Sequence, residues 1–76
     1  MKITIKQTTK IVYLNKVPCR LWEGTTESGI KINAYLRLIS VVADEELPKD
    51  FSSELNVYDP PSEKNVHHPD FFYFQF

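Results

Sequence analysis

Apolar and polar residues alternate along the first forty positions of the chain and change period afterwards. In KITIKQ, Ile3 and Ile5 alternate with Lys2, Thr4 and Lys6, the pattern of a half-buried strand. KIVYLN is a short β-branched and aromatic run of the same kind, and the spacing leaves open whether residues 7–9 separate two strands or continue one. Asn15-Lys16 suits a two-residue hairpin turn, because Asn tolerates the left-handed backbone such a turn needs. From Val17 the alternation puts Val17, Cys19 and Leu21 on one side and Pro18, Arg20 and Trp22 on the other. Pro18 has no amide donor and belongs at a strand start or free edge. Residues 24–29, bounded by Gly24 and Gly29, read as a polar loop. IKINAYLRLISVV then sets Ile30, Ile32, Ala34, Leu36 and Leu38 against Lys31, Asn33, Tyr35, Arg37 and Ile39, the clearest strand in the protein.

After Ala43 the spacing lengthens. Leu47, Phe51 and Leu55 recur every four residues and share a helical face, while acidic residues crowd the first turn, where the helix dipole favours them. Pro48 suits an early helical position, which predicts a helix over residues 46–56 that persists only by packing on the sheet. DPPSEKNVHHPD has three prolines among polar residues and reads as a semi-extended loop. FFYFQF has strand propensity, with Phe72, Phe74 and Phe76 on one side, and needs a docking surface in the sheet, on the helix or on a second copy. The expected fold is α+β: an antiparallel β-meander of three to five strands, one short helix packed on one face, and a C-terminal aromatic strand, in a single domain over residues 1–76.

Composition sets bounds on this picture. A chain of 76 residues buries only about 60 per cent of its unfolded surface, so the core is thin and self-association is an expectation. One cysteine precludes an internal disulfide, and no Cys/His cluster has structural-zinc spacing. MKITIKQTTK lacks the apolar run of a signal peptide, and no stretch approaches the roughly 20 apolar residues of a membrane span, so a cytoplasmic protein without membrane contact is expected. The net charge of −1 conceals a division. Residues 1–38 hold seven cations against two carboxylates, a balance of +5, and residues 39–76 hold two against eight, a balance of −6. Such asymmetry serves an anionic partner, or attraction between the halves within one molecule or between copies.

Catalytic readings find little support. No serine lies in a G-x-S-x-G context, and Cys19 sits in a strand with no base nearby in sequence, which suits a small buried hydrophobe. His67 and His68 are adjacent, so on an extended segment they point apart, and with Asp70 they make a solvated pair in place of a metal site. Asp44, Glu45, Glu46 and Asp50 lack a calcium-loop pattern and read as a charged helix start. No cofactor, no metal and no enzymatic activity are expected.

One face remains. If the Cys19/Leu21 side faces the helix, the other side presents Arg20, Trp22, Lys31, Tyr35 and Arg37, with Asn33 between and Lys2, Lys6 and Tyr13 extending it. Trp, Tyr and Arg are the residues that protein interfaces favour at their energetic centres. Interleaved cations and rings also suit single-stranded nucleic acid, against which the pI near 6.1 counts. A third reading is an ordinary solvated sheet on which the arginine stems lie across the rings. Arg20, Trp22, Glu23, Gly24, Thr26, Ser28 and Gly29 form an R-x-W-E-G-x-T-x-S-G stretch that resembles one in small uncharacterised bacterial proteins of plasmid and phage type. The likeness covers less than a third of the chain and excludes FFYFQF; the group carries no established activity, so it implies a small accessory protein and no chemistry. The leading expectation is a noncatalytic interaction or assembly module, with another protein or itself as partner in a homo-oligomer. The alternative is a nucleic-acid accessory protein using the same face.

Overall fold

The structure is a computed structural model that describes residues 1–42 and 49–68. Three strands, β1 (Ile3–Leu14), β2 (Val17–Thr26) and β3 (Lys31–Leu36), form an antiparallel meander in the order β1-β2-β3. A short helix, α1 (Lys49–Leu55), and a 3-10 turn, Glu63–Asn65, follow. This is the expected α+β plan, with three strands among the described residues. The C-terminal aromatic strand, with Phe72, Phe74 and Phe76, and the predicted first turn of the helix, with Asp44, Glu45 and Glu46, lie outside the described residues.

The local rules act at the turns. Asn15 and Lys16 take φ of 50° and 66°, the left-handed pair of a two-residue hairpin turn joining Leu14 to Val17. Gly24 belongs to β2 and not to the expected loop. A Cβ there would collide with the Thr4 carbonyl oxygen, so only glycine fits where the two backbones meet. Gly29 has φ 86° and closes the β2–β3 loop, its N–H donating to the Thr26 carbonyl at 3.0 Å.

β1 is one long strand with an irregularity where the spacing was ambiguous. Gln7 pairs with Trp22 and Ile11 with Arg20, so Thr8, Thr9 and Lys10 oppose Leu21 alone. That mismatch strips backbone groups of ladder partners, and four of them find another. The Thr8 hydroxyl donates to the Leu21 carbonyl at 2.8 Å and accepts from the Lys10 N–H at 3.1 Å. The Thr8 carbonyl accepts from Arg20 Nη1 at 3.1 Å. The Thr9 N–H donates to the Asp59 carbonyl at 3.0 Å, and the Asp59 N–H donates to the Gln7 carbonyl at 3.2 Å, a parallel bridge on the outer edge of β1. Thr8 is 2% exposed, so its hydroxyl bonds are shielded from water.

The bulge thus marks where the second half of the chain crosses the sheet edge. Before Asp59, α1 lies over the face of Gln7, Arg20 and Trp22, tethered by the Gln7 side-chain amide, which donates to the Leu55 and Val57 carbonyls. After Pro60 and Pro61, residues 62–68 bind the opposite face through Glu23, Asn33 and Tyr35. The expectation that the helix covers the Cys19/Leu21 side is therefore corrected. The buried apolar residues among those described, Val12, Cys19 and Leu21, lie on the side away from α1.

Pro18 explains where β3 stops. In a two-residue hairpin Leu14 and Val17 exchange backbone bonds, so the alternation turns the Pro18 nitrogen toward β3. Beyond the Arg20–Leu36 pair the next residue to bond there is Leu38, and Pro18 has no hydrogen to give. The apolar run after Leu36 leaves the sheet, with Leu38 85% and Val42 99% exposed.

Thr8→Val keeps the shape and removes the hydroxyl, leaving the Leu21 carbonyl and Lys10 N–H unsatisfied. We expect a loss of about 1–3 kcal/mol in urea unfolding, with Thr8→Ser close to wild type. Equal stability of Thr8→Val and wild type would contradict this account of the bulge.

Candidate functional site

The pairing register decides which side chains share a face. Trp22 lies opposite Ala34 and Arg20 opposite Leu36, whereas Leu21 lies opposite Tyr35 and Glu23 opposite Asn33. Directly paired residues project to the same side. The proposed set Arg20, Trp22, Lys31, Tyr35 and Arg37 is therefore divided. Arg20 and Trp22 share the helix side with Ile32, Ala34 and Leu36, while Lys31 and Tyr35 share the other side with Cys19, Leu21 and Thr25. The single mixed face of the sequence reading is corrected, because a one-residue difference in register exchanges every side chain between faces. Arg37, just past β3, lines the helix-side groove with Arg20 and Trp22.

That groove has a volume of about 510 Å³ and runs between α1 and the sheet. Ile11, Arg20 and Leu36 form one row of its floor, and Gln7 and Trp22 begin the next. Leu38 and Ile39 border it on the β3 side, and Phe51, Leu55 and Tyr58 on the helix side. Arg20 is half-buried, with its guanidinium carbon 5.0 Å from the centre of the Tyr58 ring. A second hollow of about 350 Å³, beyond the Gln7 tether, is lined by Ile5, Lys6, Trp22, Glu54, Val57 and Asp59. The two hollows differ in charge: the larger carries two arginines and no carboxylate among the described residues.

The opposite face holds a polar clasp. The Glu23 carboxylate accepts from the Ser62 N–H at 3.0 and 3.1 Å, from the Ser62 hydroxyl at 2.7 Å and from the Asn65 amide. Asn65, 3% exposed, pairs its amide reciprocally with that of Asn33 at 3.0 and 3.2 Å. Partial burial works to raise the Glu23 carboxyl, but the Asn65 and Ser62 donors outweigh it and hold the carboxyl below its ordinary value. Farther along, the Tyr35 hydroxyl and His68 Nε2 lie 2.7 Å apart, with their rings edge to face at 5.5 Å. Lys10 Nζ donates to the Val66 carbonyl at 3.1 Å.

Cys19 is buried, its thiol 3.6 Å from the Val17 carbonyl. Among the described residues no three His, Cys, Asp or Glu side chains converge on a metal-sized site, and Asp70 lies outside them. No helix among the described residues is long and apolar enough to cross a membrane. Sequence reasoning passed over Gln7, Thr8, Glu23, Tyr58 and Asn65. The available signal was Gln7-Thr8-Thr9, three polar residues interrupting an apolar alternation, and Ser62 three residues before Asn65. No protein-family model, curated protein or solved structure matches the chain.

Glu23 links the clasp to pH. Its lowered folded value means that its stabilisation is complete above the ordinary glutamate range and is lost as pH falls through the folded value. We expect Glu23→Gln to unfold at lower urea than wild type at pH 7, because its amide then faces the Ser62 and Asn65 donors, and the gap to narrow toward pH 3. A gap independent of pH would contradict the clasp.

Proposed function

We propose that this chain is a small noncatalytic interaction module that seats a partner, another protein or a second copy of itself, in the groove between α1 and the Trp22 side of the sheet. The observation that carries the reading is the groove itself: a Trp, a Tyr and two Arg set among aliphatic side chains, the composition that interface centres favour. Leu38 borders it and is 85% exposed, an apolar side chain left open to solvent. Lys31 and Tyr35, on the other face, are not part of this groove, and Tyr35 serves the contact with His68. A cytoplasmic accessory role, in keeping with the resemblance of the R-x-W-E-G-x-T-x-S-G stretch, belongs to the same reading.

A nucleic-acid reading has its own support, since Trp22 lies in the groove with Arg20 and Arg37, a ring beside cations that a single strand uses for stacking and phosphate contact. The two readings separate in solution. Light scattering and crosslinking of the purified chain are expected to show a discrete protein complex that Arg37→Glu or Leu38→Asp weakens; both positions are exposed. A strict monomer that captures no partner contradicts the proposal. Binding of labelled single-stranded DNA with an affinity that falls steeply with salt favours the alternative.

A further inference from the structure

We infer that the groove recognises an acidic, apolar-anchored segment of a partner protein, one in which Asp or Glu stands beside aliphatic or aromatic residues. The inference rests on the interaction reading and adds the chemistry of the occupant.

The argument is electrostatic. Arg20 is a half-buried cation with no carboxylate partner among the described residues: one N–H serves the Thr8 carbonyl, and the Tyr58 ring lies against its guanidinium. No side-chain polar atom is buried without a partner among the described residues, so the remaining Arg20 donors reach solvent at the groove. Arg37, exposed on the β3 side, has no ion pair among the described residues either. Two guanidinium groups beside apolar walls, in a groove without a carboxylate among the described residues, create a locally positive site, where an incoming carboxylate gains charge-assisted hydrogen bonds. The neighbouring hollow, with Glu54 and Asp59, is unsuited to an anion, so the charge preference is local to this groove.

The form of the groove selects the size of the occupant. Small-molecule sites enclose most of their ligand. Here Leu38 is 85% exposed, and Ile39 and Leu55 are each 43% exposed, so the walls are open along their length and suit a chain segment. The aliphatic walls take its apolar anchors, and Arg20 and Arg37 take its acid groups.

Trp22 is the only tryptophan of the chain and lines the groove, so its fluorescence reports occupancy directly. The test is selection from a random-peptide display library on the full chain. A selected peptide and its Asp/Glu→Lys counterpart are then titrated against wild type and Arg37→Glu, with Trp22 emission as readout. We expect enriched peptides that combine Asp or Glu with apolar anchors, a Trp22 spectral change, and an affinity at least about tenfold weaker for the Lys counterpart and for Arg37→Glu. Unfolding midpoints of wild type and Arg37→Glu are expected to agree closely, since Arg37 is exposed and makes no side-chain hydrogen bond or ion pair among the described residues. Peptides that perturb Trp22 without an acidic bias would overturn the acidic assignment and leave the interaction reading standing. Self-association insensitive to Arg37→Glu, or labelled oligothymidylate binding in place of peptides, would also overturn it. If no peptide is selected and the chain is a strict monomer without a partner, both readings fall.

Discussion

The structure depends on how a mismatch of two residues between β1 and β2 is absorbed. Thr8, Thr9 and Lys10 face Leu21 alone, and a ladder so interrupted leaves buried carbonyls and amides that must be satisfied or pay a desolvation penalty. The Thr8 hydroxyl bridges the gap, the Arg20 guanidinium closes the Thr8 carbonyl, and Asp59 binds the outer edge. This arrangement brings the second half of the chain onto the sheet at one fixed place. With a thin apolar core of Val12, Cys19 and Leu21 among the described residues, specific polar contacts carry much of the organisation.

From that crossing the two arms diverge, and their divergence defines the two faces. Before Asp59 the chain carries α1 over Trp22, held by the Gln7 amide, and leaves a groove on the side of Arg20. After it the chain fastens onto Glu23 and Asn33 by a cluster of side-chain donors. One face is closed by polar complementarity, and the other is left partly apolar and positive. Pro18 adds to the second by ending the β3 ladder, so that Leu38 and Ile39 border the groove in place of pairing in the sheet. Arg20 belongs to both arrangements. It caps the bulge through Thr8 and contributes its charge to the groove, which joins the fold's main constraint to the proposed binding chemistry.

Much of the meander was legible in the sequence, and for local reasons. Alternation located the strands, Asn15-Lys16 announced its turn, and Pro18 marked the start of β2, because each is decided by near neighbours. The candidate site was less legible. Gly24 was read as the start of a polar loop bounded by Gly29, yet here it lies in β2, where a close backbone approach at Thr4 requires it. With the loop so placed, Trp22 was grouped with Tyr35, whereas the register sets it beside Ala34. Gln7-Thr8-Thr9 hints at an interruption, but the bulge itself is fixed by pairing with β2, nine to fifteen positions away, and the edge crossing by pairing some fifty positions away, between Thr8 and Asp59. Asn65 reads as one more polar loop residue until Glu23 and Asn33 are placed around it.

Amide hydrogen exchange tests the central claim most directly, since it reads the edge crossing bond by bond. If Asp59 is fastened to the bulge, the Thr9 and Asp59 N–H groups are protected to a degree approaching the β1–β2 ladder in wild type. In Thr8→Val both lose protection together, while the amides next to the Asn15-Lys16 turn keep theirs. Exchange of Thr9 and Asp59 at unprotected rates in the wild-type chain, with the hairpin intact, would contradict the account.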